Sequence, residues 1–217
     1  MKNINLGTIG SGVIVESILD QVVKTEGICL TAVYSRSEEK GSALAEKYGA
    51  AVPGTQVAEN WCLTVRDDGM SLIENGVYAG KALGEYLAEA GRYKSTPFPL
   101  LIKFIDAGAD LSVQVHPDDV FARLVENDSG KTEMWYIAEA EEGAQIVYGL
   151  EEGADKKDLL SDSGDTIRKA LNYIDVKAGE VYYIPSGLVH ALCGGIVIAE
   201  IQQSSDLTYR LYDYGRI

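Results

Sequence analysis

Gly179-Glu180-Val181-Tyr182-Tyr183-Ile184-Pro185-Ser186-Gly187-Leu188-Val189-His190 spaces its punctuation as glycine, five residues, proline, one residue, glycine, two residues, histidine. The glycines suit tight turns, and Pro185 ends one strand before the next delivers His190. Upstream, Leu111-Ser112-Val113-Gln114-Val115-His116-Pro117-Asp118-Asp119 reads as a strand running into a turn. Alternation puts Ser112, Gln114 and His116 on one face and Val113 and Val115 on the other. A buried face lined by Ser, Gln and His must be wet or hold an ion. Between these segments, Lys131-Thr132-Glu133-Met134-Trp135-Tyr136 is a strand with a carboxylate near its start. The chain has 2 histidines, and both fall in these segments. Two neutral imidazoles and one carboxylate form a borderline N/O set suited to Zn2+, and three such ligands leave a position open for water or substrate.

Working outward, short apolar runs separated by Gly, Asn and Asp turns fill the region after Pro53-Gly54. Strands are expected at Trp61–Val65, Leu100–Ile105, Leu111–Val115, Glu133–Ala138, Gln145–Tyr148, Val181–Ile184, Ile196–Ile201 and Thr208–Tyr212. Helical spacing interrupts them near 81–90, 118–126 and 155–171. Many short strands imply a mainly β sandwich or barrel. Residues 1–52 differ: Ile4–Ile9 and Ile28–Tyr34 read as strands, and Val13–Val23 and Ser37–Tyr48 as helices, the latter with Ser37 as N-cap. That βαβα pattern implies a small parallel sheet. The expected organisation is therefore a Rossmann-like fragment over 1–52 and a β domain over 53–217.

Gly7-Thr8-Ile9-Gly10-Ser11-Gly12 lies between the first strand and helix, where glycines let a backbone approach a pyrophosphate. The stretches LGTIGSG, AVYSRSEEK and AEKYG resemble the N-terminus of glucose–fructose-oxidoreductase-like NAD(P)-dependent dehydrogenases. In that family Ser35-Arg36 would suit a 2′-phosphate. The resemblance stops by Gly49, and half of a nucleotide crevice is missing. The glycine turn is accordingly read as part of a non-binding α/β unit, with no nucleotide cofactor expected.

The spacing from Gly179 to His190 matches, position by position, the second sequence motif of the cupin superfamily. ENWCLTVRDDG, FPLLIKFIDA, LSVQVHPDD, GKTEMWYI, YYIPSGLVHAL and AEIQQSSDLTYRLYDYGR together resemble the type I mannose-6-phosphate isomerases, over residues ~57–216. The resemblance implies a cupin jelly roll with zinc held by Gln114, His116, Glu133 and His190. It implies Arg210 as the active-site arginine, Glu200 as a pocket glutamate, and Lys103, Ser112 and Lys131 as pocket-lining groups. The implied reaction interconverts mannose 6-phosphate and fructose 6-phosphate through an enediol, with Glu200 or Lys131 carrying the proton. Lys103, Lys131 and Arg210 are the cations available for the phosphate.

Composition narrows the partners. The net charge is −14, from 33 acidic against 19 basic residues, which disfavours nucleic acid and anionic membrane surfaces. No apolar run of membrane-spanning length occurs. Cys29, Cys62 and Cys193 are odd in number and show no CxxC spacing, which fits a reducing, cytoplasmic compartment. Members of the isomerase family begin earlier and continue past DYGR. The chain therefore reads as a chimera joined near residues 50–56, with uncovered sheet edges inviting self-association. A metal-binding cupin module without catalysis is the alternative, and an NAD(P)-dependent oxidoreductase fragment the weaker one.

Overall fold

The two strands expected near the N-terminus form: β1 (Ile4–Ile9) and β2 (Ile28–Tyr34) make a two-stranded parallel sheet, with Ile4 opposite Ile28 and Ile9 opposite Tyr34. The computed structural model describes residues 4–9, 19–20, 24, 28–34, 42–44, 46–47, 59–67, 69–93, 98–161 and 163–216. The glycine turn at 10–12, most of the helix expected over 13–23, the Ser37 cap and the Pro53-Gly54 boundary lie outside them, while 42–44 and 46–47 are helical. The chain divides into two compact units, Met1–Phe98 with Lys103–Asp106 and Pro99–Ile102 with Ala107–Ile217. β3 (Glu59–Leu63) and the Lys103–Asp106 stretch of β4 (Leu100–Ala107) belong to the first unit, as does α1 (Leu83–Glu89), which forms where helical spacing is expected. No described helix is long and apolar enough to cross a membrane.

The second unit is mainly β. Its strands are β5 (Val113–Val115), β6 (Glu133–Ala140), β7 (Gln145–Leu150), β8 (Leu171–Asp175), β9 (Val181–Ile184), β10 (His190–Leu192), β11 (Ile196–Gln203) and β12 (Tyr209–Tyr212). One antiparallel sheet has the order β12-β5-β10-β7-β8. In the other, β6 runs antiparallel between β11 and β9. The flanks of β11 bond to the ends of β4, Gly195 N donating to Ala107 O at 2.8 Å and Ser204 N to Pro99 O at 3.0 Å. This is the jelly-roll type of architecture the strand pattern implies.

Alternation decides which side chains go where. Val113, Val147, Leu171 and Ala191 project from the first sheet onto Leu159 and Ile167, which belong to the turn Lys156–Leu160 and to α3 (Gly164–Ala170). That apolar layer covers the outer face, so Gln114 and His190 point inward. In the second sheet Glu133, Trp135 and Ile137 of β6 are buried, as are Ile198, Glu200 and Gln202 of β11. A register shift between Val197 and Ile198 lets consecutive residues both be buried. The inner faces meet where the Tyr148 hydroxyl donates to Tyr183 O at 2.8 Å.

One element departs from expectation. Over the helix expected at 155–171, the first turn ends at Leu160, α3 starts anew on the Ser163 cap, and the chain turns extended at Leu171 to form β8. β8 pairs with β7, whose hydrogen-bonding edge it satisfies.

Gly130 carries the chain into β6 past the start of α2 (Asp119–Phe121), which continues as a π turn over Ala122–Glu126. A Cβ at Gly130 would lie 2.5 Å from Asp119 N and 2.7 Å from Asp118 C, both backbone atoms. Gly130→Ala should therefore push the loop off α2 and cost about 1–3 kcal/mol, measured by urea unfolding against the unmutated chain.

Candidate metal centre

Each sheet contributes ligands by register. On the first sheet, Gln114 of β5 stands opposite His190 of β10 on one side and Arg210 of β12 on the other. Cross-strand partners share a face, so Arg210, Gln114 and His190 form one inner rung. His116 follows β5 directly, and Gly187 N donates to its carbonyl at 2.9 Å. On the second sheet Glu133 stands opposite Gln202, and Trp135 opposite Glu200.

These rungs bring His116, Glu133 and His190 together, with one potential ligand atom from each within 4.8 Å of the others. All three are buried. His116 Nε2 lies 3.2 Å from Glu133 Oε1, and His190 Nε2 lies 3.7 Å from Glu133 Oε2. The two Nε2 atoms are 3.1 Å apart. Each ring's other nitrogen is committed to a backbone carbonyl: His116 Nδ1 to Leu207 O at 2.8 Å, His190 Nδ1 to Leu188 O at 2.9 Å. A ring that donates from Nδ1 presents a bare lone pair at Nε2. Two lone pairs and a carboxylate aimed at one point need a shared cation. The residues present therefore fit a divalent metal.

Electrostatics agree. Burial pushes the His190 imidazole down to about 4, so at neutral pH the ring is uncharged and free to ligate. Burial works to raise the Glu133 carboxyl, but the His116 hydrogen bond and the Lys131 charge outweigh it and hold the group well below the carboxylate range. Lys131 Nζ lies 3.1 Å from Glu133 Oε1. Trp135 Nε1 donates to Glu133 Oε2 at 3.1 Å and to Glu200 Oε2 at 2.8 Å.

The remaining expected residues fall as follows. The Gln114 amide nitrogen is 3.4 Å from His190 Nε2, and Ser112 Oγ reaches Gln114 Oε1 at 3.5 Å. Gln114 thus borders the centre with its amide nitrogen inward, and turning the amide over would present its oxygen to a metal. Lys131 and Glu200 are buried beside the trio, whereas Arg210 is exposed at the end of its rung. Lys103 belongs to the first unit, where it pairs with Glu59 at 2.9 Å and lies over the Trp61 ring. A pocket of about 310 Å³, walled by Val115, Pro117, Phe121, Ser186, Gly187 and Tyr209, opens beside His116. Two inward residues escaped the sequence reading, Trp135 and Gln202. The alternation that exposed His116 would have found them, carried two residues on from Glu133 and from Glu200.

Comparison with known proteins gives a consistent match. Residues 34–146 match the model of the phosphomannose isomerase type I catalytic domain. A mannose-6-phosphate isomerase of Streptococcus mutans is 45% identical over 182 residues, covering 81% of this chain and 57% of its own length. The crystal structure of the mannose 6-phosphate isomerase from Bacillus subtilis matches with a TM-score of 0.71 and 41% identity, over 81% of this chain and 58% of that one. A mannose 6-phosphate isomerase bound with zinc and yttrium shares the fold at a TM-score of 0.56 and 18% identity, over 78% of this chain and 66% of that one. The chain thus spans somewhat under six tenths of the length of the first two relatives, at 57% and 58%. The family match begins at Tyr34, inside the segment read from sequence as an N-terminal fragment.

The buried imidazole dictates a pH dependence. Burial holds the His190 pKa at about 4 in the folded chain, below the 6.5 of an exposed imidazole. Between those values the unfolded chain binds a proton that the folded chain refuses, so stability is lost as pH falls through that window. The gap corresponds to about 3 kcal/mol. Chelator-treated protein should show that loss between about pH 7 and pH 4 in denaturant titrations, and His190→Gln should flatten the slope.

Proposed function

The chain belongs to the type I phosphomannose isomerase family, and on that premise we propose that it is a zinc-dependent aldose–ketose isomerase acting on mannose 6-phosphate and fructose 6-phosphate. The observation that carries the reading is the pair of facing Nε2 atoms 3.1 Å apart beside the Glu133 carboxylate. His116, Glu133 and His190 would hold the zinc, with Gln114 completing the set. Bound there, zinc supplies a Lewis acid that polarises a carbonyl oxygen.

The reaction moves a proton between adjacent carbons of the sugar. Glu200, buried beside the centre, is assigned as the base that removes and returns it. Lys131 already directs its ammonium at Glu133 Oε1, so its part is to hold that carboxylate and face the reacting oxygens. Arg210 shares the rung of Gln114 and His190 and forms no ion pair among the described residues. Its charge is therefore available to the developing enediolate or to the phosphate. Ser112 orients the Gln114 amide. The pocket beside His116 offers a sugar a way in. Cys62 and Cys193 are free thiols, which suits a cytoplasmic enzyme.

The test measures zinc by mass spectrometry and isomerisation of mannose 6-phosphate together. The chain should carry about one zinc and turn over. Arg210→Ala should keep its zinc and lose about 10²–10³-fold in rate. His190→Ala should lose both. Zinc without isomerisation in the unmutated chain would make it an inert metal-binding module. A fully active Arg210→Ala would remove Arg210 from the mechanism.

A further inference from the structure

Trp135 is 1% exposed and belongs to the inner face, yet it is not only a core residue. Its single N–H is shared between two buried carboxylates, Glu200 Oε2 at 2.8 Å and Glu133 Oε2 at 3.1 Å. Its ring meets the His190 imidazole edge-on, centroids 5.4 Å apart and planes at 73°. It thus touches two members of the metal trio and the residue assigned as base. We propose that Trp135 is a positioning residue that fixes the carboxylate planes of Glu133 and Glu200 through this one shared donor, and so aligns the metal centre with the base. The proposal rests on the isomerase reading above.

The physical case runs through the oxygens. Two buried carboxyl groups on neighbouring strands each need a donor in a dry interior, and one N–H placed between them serves an oxygen of each. The bond to Oε2 also sets the rotation of the Glu133 carboxylate. With Oε2 held toward the indole, Oε1 is turned to Lys131 at 3.1 Å and His116 at 3.2 Å. On β11, Glu200 stands directly opposite Trp135 across the ladder, so the same N–H reaches both strands. Remove the N–H and the one bond common to both carboxylates is lost, while Ile137 and Ile198 keep the inner face apolar and buried around the site. A Trp that only filled space would be replaceable by any ring of the same shape.

Two variants separate these roles: Trp135→Phe, and site-specific replacement of Trp135 by benzothienylalanine, which keeps the bicyclic shape and lacks the N–H. Zinc affinity of chelator-stripped protein is measured by competition with a chromophoric chelator, and kcat and KM for mannose 6-phosphate are measured on reloaded protein. In both variants zinc affinity should fall about 10–100-fold, and kcat by a comparable factor with KM within about twofold. Natural zinc affinity in the benzothienyl protein overturns the proposal, even where Trp135→Phe fails to fold. If the unmutated chain takes up no zinc, the isomerase reading fails and takes this proposal with it. If zinc binds but nothing is isomerised, the affinity arm alone decides, and a drop still supports the positioning role.

Discussion

The centre depends on two imidazole protons being given to the backbone. His116 gives its Nδ1 proton to Leu207 O and His190 gives its own to Leu188 O, at 2.8 and 2.9 Å. Once those bonds form, both Nε2 atoms are acceptors by necessity, and they face each other at 3.1 Å. Without a cation the arrangement is electrostatically poor, and with one it is an assembled set of ligands. The two carbonyls must therefore stay where they are. Leu207 is held by its N–H to Ser205 Oγ at 3.3 Å, and the Gln202 amide donates to Gln203 O at 2.8 Å and to Ser205 O. Leu188 N donates to Pro185 O at 3.1 Å, closing the turn that precedes His190. Both turns act on the metal through the rings they orient.

The sandwich supplies the rest by arithmetic of register. Pairing Gln114 with both His190 and Arg210 puts an amide, an imidazole and a guanidinium on one rung without any loop having to aim them. Pairing Glu133 with Gln202 and Trp135 with Glu200 does the same on the facing sheet. A slip of one residue in β6 would send Glu133 outward and bring Met134 inward. That slip is costly because it would also turn the buried Trp135 and Ile137 of the same strand out of the interior. Fold stability and site geometry thus draw on the same alternation.

That shared alternation explains what could be read from the sequence. Ser, Gln and His at alternating positions before a proline declare a polar inner face, and the Gly-Pro-Gly-His spacing announces the turn delivering His190. The strands from β4 to β12 were legible for this reason, apart from β8, whose Leu171-Asn172-Tyr173 follows a helical run with no strong break before it. Trp135 and Gln202 follow from the same alternation, two positions on from Glu133 and from Glu200, but a tryptophan or a glutamine does not by type announce a polar inner face as a histidine does. The carbonyls of Leu188 and Leu207 could not have been found at all, since every residue has one and only the fold decides which is aimed. The pairing of Lys103 with Glu59, 44 positions apart, is likewise a product of tertiary structure.

Charge adds a last constraint on how such a site can work. A chain with a net charge of −14 draws in a divalent cation and repels a phosphate dianion. That repulsion is screened beyond about 8 Å at physiological ionic strength, so it governs approach more than contact. Contact is settled by nearby cations, and these are unequally available. Lys131 is buried against Glu133, its charge offset by a carboxylate at 3.1 Å. Arg210 lies at the exposed end of its rung, and among the described residues it forms no ion pair. A planar guanidinium in that position can meet phosphate or enediolate oxygens in two parallel hydrogen bonds, which a compact ammonium cannot. The acidic surface therefore does not argue against an anionic substrate. It means only that recognition of such a substrate would be short-ranged and would rest on a few nearby cations.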